Sequence, residues 1–104
     1  MKKIDIINQL NEFGLSIFVL DDAYRSSSGW SICYANFSDE EKTAFINVLK
    51  NKFNILSNVN KDKRYLYIPS KYSKILDEII LRNIPNDLDI IKYKILNKKD
   101  NKHE

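Results

Sequence analysis

Cysteine and histidine each occur once in the 104 residues, as Cys33 and His103. A single cysteine excludes a disulfide framework and a cysteine-built zinc site, and it fits a reducing compartment. His103 lies in the run 97–104, which reads as a disordered polar tail, so the folded part has no histidine for proton transfer. Glycine and proline occur twice each, and no linker or internal repeat is visible. The main apolar run, Phe13 to Leu20, is far shorter than the roughly 20 residues needed to cross a bilayer. The opening Met1-Lys2-Lys3-Ile4-Asp5 lacks the apolar core of a secretory signal. These absences leave one intracellular domain over residues 1–96, not secreted and without a membrane partner. An excess of Ile, Asn and Lys over Ala, Gly and Arg points to an AT-rich genome, such as a phage's or an organelle's, so a mitochondrial location is one expectation.

The net charge of +3 is too small to announce a nucleic-acid partner by itself, but its distribution says more. Residues 1–60 hold 6 basic and 7 acidic side chains, whereas residues 61–104 hold 11 and 7. A basic half with interleaved tyrosines is compatible with phosphate contact. Surface lysines are also ordinary in any soluble domain.

The organising stretch is Asn11 to Tyr24, apolar from Phe13 to Leu20 and then ending at Asp21 and Asp22. Ile4, Ile7, Leu10, Gly14, Ile17 and Phe18 recur at three- and four-residue steps, which predicts one helix over Lys3–Asp22. Its acidic end is the end where the helix dipole favours cations. A bound divalent cation would account for two carboxylates there, and so would a plain solvated turn.

Beyond Asp22, residues 23–28 read as a loop or a short edge strand. Trp30 to Phe37 alternates as a half-buried strand, with Trp30, Ile32 and Tyr34 on one face. Ser38 and Glu41 form a capping box for a second helix, whose stripe is Ala44, Phe45, Val48, Leu49 and Phe53. Asn54 suits its left-handed exit. Ile55–Asn60 and Arg64–Ile68 are predicted as an antiparallel pair around Lys61-Asp62-Lys63, ended by Pro69. Ser70 is expected to cap a third helix, Lys71 to Arg82, and Leu88–Leu96 to close the domain as a short helix or strap. The order makes an α+β domain with helices on one face of a twisted antiparallel sheet. The open face would carry Tyr65 and Tyr67, and such a ribbon can lie in a DNA major groove. Arg25, Lys61, Lys63, Arg64 and Lys71 are the candidates for phosphate contact.

Gly14-Leu15-Ser16-Ile17-Phe18-Val19-Leu20-Asp21-Asp22-Ala23 resembles the signature helix of the LAGLIDADG homing endonucleases and maturases, in the variant ending in a doubled Asp. Ser38-Asp39-Glu40-Glu41 with Val48–Phe53, Tyr65–Pro69, Ile84-Pro85 and Lys92–Ile95 resemble later segments of that family in the same order. The resemblance implies an αββαββα unit with a reduced first strand. It further implies two signature helices packed about a two-fold axis, their last acids meeting across it to hold Mg²⁺ for DNA cleavage. Mapped here, the catalytic acid is Asp22 with Asp21 beside it as metal ligands, and Gly14, Ile17 and Asp21 mark the seam. Those three positions also fit a face that packs on the chain's own sheet. One signature helix per chain implies a homodimer or a second LAGLIDADG half as partner.

Ala23 stands where the family signature ends in Gly, and Ala35 stands where many relatives have Gln. Three functions follow. One is a Mg²⁺-dependent DNA endonuclease. A second is a cleavage-deficient relative that binds structured RNA, as a splicing maturase or a subunit of a ribonucleoprotein such as an organellar ribosome. The third is a small interaction domain.

Overall fold

The computed structural model describes residues 2–96, so the expected tail 97–104 lies outside the described residues. Two helices stand where periodicity predicts one over Lys3–Asp22: α1 (Lys3–Asn8) and α2 (Glu12–Asp22). The break has a local cause. Asn11 Oδ1 accepts the Gly14 N–H at 2.8 Å and caps α2, satisfying one of the donors that a helix start leaves free. An Asn side chain bonded to nearby backbone competes with helix continuation. The break lets α1 pack on α3 (Asp39–Phe53) while α2 packs on α4 (Ser70–Asn83).

The serine-rich stretch after Asp22 is a strand, β1 (Ala23–Ser26), which turns at Ser27 and Ser28 into β2 (Gly29–Cys33). β2 ends four residues before the predicted Phe37, where Ala35 and Asn36 turn toward α3. The Ser38–Glu41 capping box is formed, and Asn54 is left-handed at φ 59°. β3 is only Asn58–Val59, shorter than the strand predicted over 55–60, and β4 is Tyr65–Pro69. Ser70 does not cap α4: it is the first helical residue, and Pro69, which has no side-chain oxygen to offer, holds the N-cap position without a side-chain cap bond. α5 (Asp89–Ile91) and a π-helical turn over Lys92–Leu96 close the described chain.

The strands form one antiparallel sheet in the order β1-β2-β4-β3, with the helices over one face. Trp30, Ile32, Leu66 and Ile68 point inward and are fully buried against Leu15 and Val19 of α2, Leu49 of α3 and Leu76 and Ile80 of α4. Each buried aliphatic side chain contributes about 1.5–3 kcal/mol. At the α2 start, Arg82 donates to both Glu12 carboxylate oxygens, at 2.9 and 2.7 Å, with Asn83 adding a third bond. These hydrogen bonds, Arg82 first, hold the Glu12 carboxyl at about 2, well below the usual carboxylate range.

Candidate nucleic-acid interface

Alternation sorts the strand residues between two faces. The outer face carries a register row across all four strands: Tyr24 pairs with Ser31, Ser31 with Tyr67, and Tyr67 with Asn58. Tyr65 lies beside Cys33 one step along. Tyr24 is 66% exposed, and Tyr67 anchors the β1–β2 turn by donating its hydroxyl to Ser28 O at 2.8 Å. Tyr65 and Tyr67 therefore share the open face as the sequence predicts. Tyr24, Ser31 and Asn58 join them and were not among the predicted site residues. Ser31 follows from the alternation after Trp30, whereas Tyr24 and Asn58 are hidden because residues 23–28 read as a loop or a short edge strand and 55–60 as a longer strand.

The cations divide into two sets. Lys61, Lys63 and Arg64 are exposed on the β3–β4 turn at one end of β4, and Lys71 is exposed just past its other end. The turn is stiffened where Arg64 N–H donates to Asp62 Oδ1 at 3.0 Å and Lys42 Nζ donates to Lys63 O at 2.7 Å. Arg25 is the exception, and its assignment as a phosphate contact is corrected. It points inward, is 5% exposed, and donates to both carboxylate oxygens of Asp77 on α4, at 3.1 and 2.7 Å. The Trp30 indole N–H reaches Asp77 Oδ1 at 2.8 Å. Strand alternation puts Arg25 on the face of Trp30, its cross-strand partner. A buried guanidinium is held by its carboxylate and is out of reach of a phosphate.

On α2, Leu15, Ser16, Val19 and Leu20 face the core. The face through Gly14, Ile17 and Asp21 is turned away from the sheet, so it does not pack there. Ile6 of α1 (51% exposed) and Phe13 and Ile17 of α2 (55% and 41%) border an open apolar groove of about 570 Å³ floored by Phe18. A Cβ at Gly14 would meet Leu10 and Asn11 side chains at 3.2 and 3.3 Å, so glycine keeps this wall close to the α1–α2 break. Asp21 and Asp22 stand exposed at the end of the groove.

The dipole difficulty at this end of α2 is met by Lys94, whose Nζ donates to Leu20 O at 2.6 Å and Ala23 O at 2.7 Å. No local pattern links Lys94 to a helix some 70 positions earlier. Ala23 is extended, φ −121°, so it needs no glycine and strains nothing. Among the described residues no group of three or more His, Cys, Asp or Glu is placed so that it could hold a metal ion. Two adjacent exposed carboxylates fit one half of a hard-cation site, since Mg²⁺ takes carboxylate, phosphate and water oxygens.

This arrangement matches known proteins. Residues 2–76 match the LAGLIDADG DNA endonuclease family. The chain belongs to that family. Its fold superposes on the homing endonuclease I-WcaI bound to its DNA recognition sequence, with a TM-score of 0.70 and 25% identity over 91% of this chain. The chain spans 45% of the length of that homing endonuclease. No curated protein matches the chain.

Proposed function

We propose that this LAGLIDADG chain binds duplex DNA on its outer sheet face and cuts it when α2 pairs with the α2 of a second such unit. The partner is a second copy of the chain or another LAGLIDADG half. The observation that carries the reading is the α1–α2 face: an uncovered apolar groove ending in Asp21 and Asp22, on the unit whose sheet face is flanked by Lys61, Lys63, Arg64 and Lys71. A closed two-fold pairing presents one patch twice. It would bring two Asp21–Asp22 pairs together, and their mutual repulsion favours a cation between them. Asp22, with Asp21, would hold Mg²⁺, which supplies charge neutralisation at the cleaved phosphodiester. The lysines and Arg64 would hold the backbone, and Tyr65 and Tyr67 would lie in the groove.

The test is nicking of duplex DNA with and without Mg²⁺ by the wild type and by Asp22→Asn. Loss of cutting with retained binding supports the assignment, and full activity in Asp22→Asn rejects it. Ile17→Glu places a charge in the seam. It should abolish self-association in sedimentation while leaving folding stability within about 0.5 kcal/mol, as an exposed substitution does.

One feature favours the second reading, a cleavage-deficient binder of structured RNA. Ala35, exposed in the turn after β2, offers no side-chain oxygen or amide at the position where the family resemblance implies Gln. On that reading the same cations bind RNA phosphates. Binding would then survive Asp22→Asn and weaken steeply with salt, and Arg64→Ala would lower the salt slope by about one.

A further inference from the structure

We propose that the outer sheet face selects A·T base pairs, and that Asn58 specifies one adenine. The inference rests on the duplex-DNA reading above and concerns what that face can distinguish. The four strands contain one charged side chain, Arg25, and it is turned inward onto Asp77. No guanidinium, ammonium or carboxylate therefore projects from the strands toward base edges. Guanine is read most strongly by a bidentate Arg or Lys on O6 and N7, and cytosine by a carboxylate on N4. This face has neither.

It offers the complementary chemistry. Asn58 is exposed at the sheet edge, and its place opposite Tyr67 puts it on the outer face. Its amide is the one side-chain group in the strands that can both donate and accept in the bidentate pattern of adenine N6 and N7. Tyr24, exposed at the other edge of the same row, presents an aromatic ring to the thymine methyl group. Ser31 between them accepts either base, and the Tyr67 hydroxyl is committed to Ser28 O. The cations that supply affinity sit beyond both ends of β4, where they touch phosphate and carry no base information. A composition pointing to an AT-rich genome is consistent with a target of this kind.

The experiment is selection of bound duplexes from a randomised pool at fixed salt by the full chain, compared with Asn58→Arg and Asn58→Ala. Urea unfolding of each variant verifies that the exposed substitutions leave the fold intact. The expected result is an A·T-rich motif for the wild type, with about tenfold enrichment of adenine at one position. That position becomes guanine in Asn58→Arg and loses its preference in Asn58→Ala. A guanine-centred wild-type motif, identical motifs from all three proteins, or duplex binding with no motif overturns the inference and leaves the DNA reading standing. Stronger retention of single-stranded RNA than of duplex, or no retention of any duplex at low salt, overturns the DNA reading itself.

Discussion

The two faces of the sheet are built from the same strands and do opposite things. On the inner face, Arg25, Trp30 and Asp77 form a closed polar knot between β1, β2 and α4, beside Ser73, which accepts the Trp30 N–H at 3.0 Å and donates to Ile68 O at 2.7 Å. On the outer face, Tyr24 and Asn58 stand free of side-chain hydrogen bonds among the described residues, one at each edge. Residue type therefore does not settle role on a strand. The arginine locks the fold, and uncharged side chains are left exposed on the outer face.

The inner face is most vulnerable at Asp77. Asp77→Ala strands a buried guanidinium and an indole N–H, and should cost about 3–5 kcal/mol in urea unfolding. An unchanged midpoint would mean that the knot contributes nothing. Next comes Gly29→Ala, at a residue with φ +154° where a new Cβ would lie 2.1 Å from Ile68 O. A loss of about 1–3 kcal/mol is expected from backbone strain, read as a lower thermal midpoint. Asn11→Ala removes the α2 cap and should cost about 1 kcal/mol. Circular dichroism should show that loss as earlier melting.

Smaller effects are expected at Glu12 and Tyr24. The Glu12 carboxyl lies at about 2 when folded against an ordinary 4.5, so the folded state releases its proton more readily. Its contribution is complete above about pH 4.5 and disappears as pH falls toward 2. Glu12→Gln should flatten the stability profile in that acid window and leave the profile above it parallel to the wild type. Tyr24→Ala, on the outer face, should leave stability within about 0.5 kcal/mol while lowering nucleic-acid affinity. A large stability loss there would erase the distinction between the faces.

Much of this architecture was legible because its causes are local. Ser38 and Glu41 cap α3, Asn54 turns left-handed after it, and the alternation of Trp30, Ile32 and Tyr34 marked their buried face. The α1–α2 break was missed because apolar periodicity runs through Asn11, whose Oδ1 capping bond outweighs it. β1 is ambiguous in the sequence, a loop or a short edge strand, because only Tyr24 of its four residues carries a β-branched or aromatic signal, and the strand exists through its register with β2. Gly14, Ile17 and Asp21, singled out by the sequence, border the groove together with Phe13 of the same helix, whereas Ile6 joins it only once α1 packs beside α2.

The amino-acid order alone determined the family, the alternation of helices and strands, and the doubled acid at the end of α2, since each rests on spacing within one element. The tertiary structure decided which cation is buried, which helix face stays uncovered, and which ammonium closes the α2 terminus. Those outcomes depend on partners dozens of residues apart, Asp77 for Arg25 and Lys94 for Leu20. Long-range pairing of this kind leaves no periodic trace in the chain.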